Sequence, residues 1–457
     1  MDLPSPDTQS IDNALYIEHH VQRIITNQEQ RGVYFNQTRA SFYQYVLRER
    51  KCRLSTQIRP YLSLHLGQPY NTPVSRPFLK DGSYSSSTKS WFTGEEELAT
   101  VSGPFTRVQW NETNLGSRTQ VIAALLERGW KPIDFTPKGN PKLTVEGEPC
   151  KSLLKIGDTI GQQIAEWYIL NHRDSQIQGF RRRVRSDGRI SAEATTIGTP
   201  TFRFRHKGVV NVPRSTSLFG KQLRSLFTVD KGRRLVGFDA SGLELRMLAH
   251  YLNHPPYTET VVHGRQEDGT DIHTKNQHDA GLPTRDDGKT FIYAFNYGAG
   301  AAKIGSIISG TAKQGAAIKR KFLEANPELA ALIHNFESAA SRGYLVGLDG
   351  RKLIMRKDPF SGKPQTHKSL NTALQGGGAI VMKWAMVLLD LWVREMKLDA
   401  FKVIDMHDEA QWDSSPKDAD LVGKLGCMAI TTVGRMLKLN VPLAGTYKVG
   451  LNWSHTH

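Results

Sequence analysis

An apolar strand that ends on a carboxylate constrains this chain more than any other feature. In RLVGFDASGLELRMLAHYL (Arg234–Leu252) the apolar run closes on Asp239, and a helix is expected to begin a few residues later. Such an aspartate is held on a rigid strand yet exposed to a cleft. Two more acids, Asp408 and Glu409, fall at or beside the turn of an expected hairpin, FKVIDMHDEAQWD (Phe401–Asp413). Burying acids on β-elements is costly unless cations or hydrogen bonds neutralise them. Two aspartates brought together could hold two divalent ions about 3.5–4 Å apart, bridging substrate phosphates. Carboxylates and water suit hard Mg²⁺, and no soft ligand cluster competes with them. Taken singly, Asp239 reads equally well as a helix cap, and Asp408 equally well as an ordinary turn aspartate.

A second pattern narrows the choice. PTRDDGKTFIYAFNYGAG (Pro283–Gly300) reads as a helix whose start is marked by Thr284 and Asp287, a capping-box-like pair. Arg285, Lys289, Tyr293 and Tyr297 then recur every four residues, drifting only about 40° per step, and share one broad stripe. Two cations lead it and two phenol rings follow. Alone, such a stripe is more often a solvated basic start with a core-packed aromatic end. Beside a pair of aspartates it suits a nucleoside triphosphate, gripped by the cations and faced by the rings. Upstream, DIHTKNQ adds His273 as another phosphate donor.

Composition agrees with a polyanionic partner. Lys and Arg total 60 against 44 Asp and Glu, a formal charge of +16. Local basic runs stand at Arg181–Arg185 (RRRVR), Arg203–Lys207 (RFRHK) and Ile318–Lys321 (IKRK). The three cysteines, Cys52, Cys150 and Cys427, form no CxxC pair, which argues against a cysteine zinc site and fits a reducing compartment. The opening MDLPSPDTQS has neither the basic flank nor the apolar core of a signal peptide. No apolar run is judged to approach the roughly 20 residues of a membrane span, so a soluble, cytoplasmic protein without membrane partners is expected.

Along the 457 residues, two or three subdomains are expected. Amphipathic helices open the chain, and the Ser-, Thr-, Gly- and Pro-rich stretch from Gly67 to about Trp110 reads as an extended functional loop or mobile insertion. SRTQVIAALLERGW and GDTIGQQIAEWYILNHRDSQIQGF resume helix, with Ser117 as a cap. Strands are expected around GRISAE and RLVGFD, then helices from Gly242 to about Ala340, then the hairpin with helices on either side. That order predicts an α+β protein with a segregated sheet.

These residues resemble the polymerase region of a family A DNA polymerase, especially the phage replicative branch. DASGLELR (Asp239–Arg246) is similar to that family's motif A, RDDGKTFIYAFNYG (Arg285–Gly298) to motif B, and HDE (His407–Glu409) to motif C. SLNTALQGGGAI (Ser369–Ile380) resembles the minor-groove-sensing helix, and GLNWSHTH the phage branch's C-terminal ending. The resemblance covers nearly the whole chain. It implies a right-hand fold with an antiparallel palm sheet, helical fingers and a helical thumb. The expected divisions are palm 1–30, thumb 31–185 with an insertion at about 67–110, palm 186–259, fingers 260–345 and palm 346–457.

The same resemblance implies roles. Asp239 and Asp408 would bind two Mg²⁺ ions, with the Ala240 carbonyl completing one shell, and Glu409 would sit beside the primer terminus. Arg285, Lys289 and His273 would hold the dNTP triphosphate, Tyr293 would lie near the sugar, and Tyr297 would stack at the insertion site. Glu244 would exclude a 2′-hydroxyl, while Arg203, Asn371, Gln375 and His407 would contact the DNA primer–template. Departures from the family's pattern are Thr201-Phe202-Arg203 where Thr-Gly-Arg is common, His367 where bacterial relatives have arginine, and the insertion, where some phage relatives recruit a processivity factor. No 3′–5′ exonuclease domain fits ahead of Asp12, so proofreading is expected from another polypeptide or not at all, a truncated chain being equally compatible with the sequence. The expected location is cytoplasmic, in the bacterial host if the chain is phage-encoded. A single-subunit RNA polymerase and a catalytically inactive DNA-binding accessory protein are the rival readings; Glu244 and Glu409 argue against the first, and the intact aspartates with Arg285 and Lys289 against the second.

Overall fold

Leu235, Val236 and Phe238 are buried along the strand Arg234–Ala240, which has hydrogen-bonded neighbours on both sides. The computed structural model describes residues 11–62, 64–66, 73–90, 101–106, 108, 110–136, 138–145, 148–156 and 159–457. Much of the stretch read as an insertion, 67–72 and 91–100, lies outside the described residues.

The chain forms two compact units. The larger comprises residues 1–40, 179–216 and 220–457, and the smaller residues 41–178 with 217–219. At the centre of the larger unit is a four-stranded antiparallel sheet ordered Ala400–Met406, Glu409–Ser414, Arg234–Ala240, Gly445–Gly450. The predicted hairpin is present, closed by the pair Met406–Glu409. The edge strand Gly445–Gly450 was not predicted; its alternate residues are exposed and GTYKVG carries no strong apolar period. Helix Ala419–Met436 packs on the sheet through close approaches. A Cβ at Gly426 would stand 2.7 Å from the Phe238 ring, and one at Gly423 2.1 Å from Tyr447.

The helices expected between Gly242 and Ala340 are present, from Leu243–Leu252 to Pro327–Ala340. The long helix Ser369–Glu395 runs through the core, with Trp384, Val387 and Leu389 inaccessible. Contrary to the sequence reading, the segment Thr366–Glu395 is long and apolar enough to cross a membrane by length and composition. Since 89% of its most apolar window is buried inside the protein, it is accounted for as a core helix.

A charged network fastens the long helix to the N-terminal helix Ile11–Arg31. Lys383 donates to both Glu18 oxygens at 2.6 and 2.8 Å and to the Thr196 carbonyl at 2.9 Å. Arg351 binds Glu18 and, through two nitrogens, Asp349, whose carboxylate also accepts from the Trp384 indole at 3.1 Å. Burial pushes the Lys383 ammonium down to about 8 despite Glu18 beside it. The same N-terminal helix is closed at its other end by Arg185, which donates to the carbonyls of Glu29, Gln30 and Arg31. Those are the carbonyls that a helix C-terminus leaves unpaired. One cation of the RRRVR run is therefore structural.

Helices Gln37–Ile58 and Ile160–Arg181, most of whose residues belong to the smaller unit, run antiparallel, as their contacts require. Gln44 bonds Asp174 at 2.9 Å, Lys51 bonds Asn171 at 2.8 Å, and the Trp167 indole reaches Ser55 at 2.9 Å. Ser117 caps Arg118–Glu127, as predicted. Within the stretch read as an insertion, Val74 and Phe105 exchange backbone hydrogen bonds, and Ser85 caps a short helix, Ser86–Lys89.

Replacing Lys383 with methionine leaves Glu18 with half its cationic partners in a buried site. Lys383→Met is expected to cost about 3–5 kcal/mol, read as a lower denaturation midpoint in urea.

Candidate active site

Asp239 and Asp408 are brought together by backbone before any side chain is considered. The Ala240 amide donates to the Asp408 carbonyl at 3.1 Å, and Asp239 pairs in register with Glu409. His407 makes the tight turn between the hairpin strands with φ at +59°. The two aspartates repel each other: burial first, then the charges of Asp408 and Glu409, raise the Asp239 carboxyl to about 7. Burial also raises Asp408, with Arg203 opposing and Glu409 adding to the shift. Held this way, the pair is an anionic cleft lacking sufficient counter-charge.

Glu409 has a different environment. It is 6% exposed, and its carboxylate accepts from the Trp453 indole, from Gln411 at 2.7 Å and from His457 at 2.7 Å. Arg224 lies at 3.9 Å and stacks its guanidinium 4.5 Å from the Trp453 ring. Burial alone would raise the Glu409 carboxyl, but His457, Trp453 and Arg224 outweigh it and hold it ionised. The ending GLNWSHTH thus supplies two of its partners. Sequence reasoning singled out that ending but not these contacts, which join positions over 40 residues apart.

The second cluster stands on the helices Ile272–Ala280 and Arg285–Asn296. They pack closely because Gly288 lacks a side chain; a Cβ there would come within 2.6 Å of the His273 carbonyl. Thr284 caps the second helix as predicted. Tyr297 falls at the C-cap rather than inside the helix, so the stripe ends one residue beyond it. Arg285 is engaged by Asp271 through Nε and Nη2, the latter at 2.8 Å, while Lys289 is exposed. Burial lowers the His273 imidazole, with Arg285 adding to the effect. Its ring centre lies 6.0 Å from that of Tyr293. Asp271 was missed in sequence because an N-cap aspartate is its ordinary reading.

Tyr293 joins the two clusters. Burial raises its phenol, and the charges of Glu244 and Asp408 raise it further, so both carboxylates lie within its field. Glu244, in the first turn of Leu243–Leu252, is raised by burial and opposed by Arg203, Asn296 and Tyr297. Asn296, 1% exposed, is a further site residue that a lone asparagine in sequence could not announce. His407 packs its ring 4.9 Å from His206, which meets Asp405 at 3.2 Å; burial, then His206 and Arg203, lower it to about 4. Asn371 and Gln375 stand half-buried one turn apart on the long helix. Asp239, Ala240, Asp408, Glu244, Tyr293, Tyr297, Arg203 and His407 are therefore assembled, and Arg285, Lys289 and His273 adjoin them through Tyr293.

The donor set fits a hard divalent cation: two desolvated carboxylates in mutual repulsion, next to the Ala240 backbone. Among the described residues no group of three or more His, Cys, Asp or Glu side chains is arranged to hold a metal, so water and substrate oxygens would complete any shell.

An aspartate whose folded pKa is raised costs stability as pH rises from its unfolded value near 4 through about 7. Without divalent ions, Asp239→Asn is expected to melt a few degrees above the parent at pH 8. That advantage should fade as the pH falls toward 4, followed by thermal denaturation.

Comparison with known proteins follows the same lines. The chain matches the DNA polymerase family A profile over residues 91–455. It is 38% identical over 379 residues to a DNA-directed DNA polymerase of Escherichia phage Phieco32, covering 65% of this chain and 60% of that one. It is 32% identical over 397 residues to the DNA-directed DNA polymerases of Enterobacteria phage T3 and Escherichia phage T7, covering 78% of this chain and 54% of each relative. The matched chain thus spans little more than half the length of these relatives. Among solved structures, the POL domain of Pol1 from M. smegmatis, in complex with DNA primer-template and dNTP, superposes with a TM-score of 0.75 at 17% identity. The match covers 96% of this chain and 70% of that one. That likeness shows a right-hand polymerase fold, as the motifs implied.

Proposed function

The chain belongs to DNA polymerase family A, and from that premise we propose that it extends a DNA primer on a DNA template with dNTPs. The observation that carries this reading is the carboxylate pair of Asp239 and Asp408, joined through the Ala240 amide, with Tyr293 linking it to the basic helix. Arg285, Lys289 and His273 bind the triphosphate, and Arg285 exchanges Asp271 for phosphate oxygens as it does so. Tyr293 and Glu244 bound the sugar, Glu244 leaving no room for a 2′-hydroxyl, and Tyr297 stacks at the insertion site. Arg203, His407, Asn371 and Gln375 face the primer–template. The primer 3′-hydroxyl attacks the α-phosphorus in line, the bond to the β,γ-diphosphate breaks, and pyrophosphate leaves.

Two Mg²⁺ ions, when bound by Asp239, Asp408 and the Ala240 carbonyl, supply charge neutralisation at the attacking and leaving oxygens. The desolvated, mutually repelling aspartates support that assignment. Glu409, held ionised by Trp453, Gln411 and His457, fixes the start of the hairpin strand that follows the turn carrying Asp408. The separate compaction of residues 41–178 supports a thumb over about 31–185, with fingers over 260–345 and palm in the remainder. A processivity factor docking at about 67–110 is a further part of this reading.

Primer extension with a labelled primer tests it. Extension is expected with dNTPs and not with NTPs, and Asp408→Asn is expected to abolish it. Extension with NTPs would favour the RNA polymerase reading, and none at all the inactive accessory reading. Lys289→Ala is expected to weaken dNTP binding at least tenfold while primer–template affinity holds, separating a polymerase from a DNA binder or nuclease.

A further inference from the structure

Phe202 occupies a backbone conformation that its side chain ordinarily forbids. Its φ is +59°, in the left-handed region, where a bulky residue is an outlier and glycine is at ease. Such a conformation persists only where its surroundings over-determine it, and it points toward a functional constraint. Local hydrogen bonds account for part of it: the Phe202 amide donates to the Thr199 carbonyl at 3.0 Å, and the Arg203 amide to the Thr199 hydroxyl at 3.1 Å. Glycine would make those same bonds without strain, so they do not explain a phenyl ring here.

The ring is held by cations. The Arg351 guanidinium lies 4.8 Å from its centroid and the Lys383 ammonium 5.7 Å, both within cation–π range. Lys383 also lies 5.2 Å from the ring of Phe204, which is 6% exposed. Arg203 is thus flanked by two rings anchored on the same ammonium. The cations are fixed in turn, Arg351 by Asp349 and Glu18, Lys383 by Glu18 and the Thr196 carbonyl. On its other side this segment meets the active site: His206, three residues beyond Arg203, packs its ring 4.9 Å from that of His407, next to Asp408.

We propose that Phe202, seated on Arg351 and Lys383, is a positioning residue that fixes Arg203 for the primer–template. The inference rests on the polymerase reading and on the assignment of Arg203 to the nucleic acid. A flexible arginine must be ordered when it binds a phosphate or a base edge, and that ordering subtracts from affinity. Two anchored neighbours supply the order beforehand. The left-handed turn is the local distortion that brings the ring onto the cations.

Phe202→Gly separates the ring from the backbone, because glycine adopts the same φ without strain and folding is not put at risk. Expected is a loss of about tenfold in primer–template affinity by fluorescence anisotropy, and the same change in KM for primer–template, with kcat and Tm nearly unchanged. Phe202→Tyr, which keeps an aromatic face, should restore affinity. In an Arg203→Ala background Phe202→Gly should add nothing, since both changes remove one interaction. Parental affinity in Phe202→Gly would overturn the proposal, as would a further loss in the Arg203→Ala background. Should Arg203→Ala itself leave affinity untouched while primers are still extended, the role given to Arg203 fails and this inference with it. Absence of extension by the parent chain would instead sink the polymerase reading.

Discussion

Two carboxylates that repel each other, kept within reach by hydrogen-bonded backbone, set the terms for the rest of this structure. Burial raises both Asp239 and Asp408, and the charges of Asp408 and Glu409 raise Asp239 further. Left to side chains alone, they would separate or keep a proton. The antiparallel register of Arg234–Ala240 with Glu409–Ser414, and the Ala240 amide bonded to the Asp408 carbonyl, remove that freedom. The protein spends part of its stability to hold an anionic site ready. Glu409 adds to the repulsion, and its own charge is met by Trp453, Gln411, His457 and Arg224.

The sheet can carry this tension because its framework is fastened elsewhere. Glu18, Asp349, Arg351 and Lys383 tie the N-terminal helix to the long helix in a buried network with each charge matched. Arg233 bonds Asp399 and Asp413 where the hairpin strands begin and end. Arg185 closes the N-terminal helix. The +16 charge therefore does not translate directly into surface for a polyanion, since several arginines are used inside the fold. The cations beside the two clusters include Arg203, near Glu244 and Asp408, Lys289, near His273, and Arg285 with Asp271 as its partner. An arginine already paired with a carboxylate is pre-aligned for a phosphate, whose oxygens offer the same two-pronged geometry.

The sequence by itself determined the local elements and the residue types of the site. The Asp239 strand, the hairpin around Asp408 and the helix capped by Thr284 were legible because their apolar periods, turns and caps lie within a few residues of one another. The stripe of Arg285, Lys289 and Tyr293 was legible for the same reason. Only the tertiary structure decided how Glu409 is satisfied, that Arg285 rests on Asp271, and that Asn296 lies beside Glu244. It also decided that Gly445–Gly450 joins the sheet, and that Phe202 bends into the left-handed region over Arg351 and Lys383. Those contacts join positions that no local pattern connects. Each depends on burial and on the choice of partner for a charge, and both are fixed only when the chain has packed.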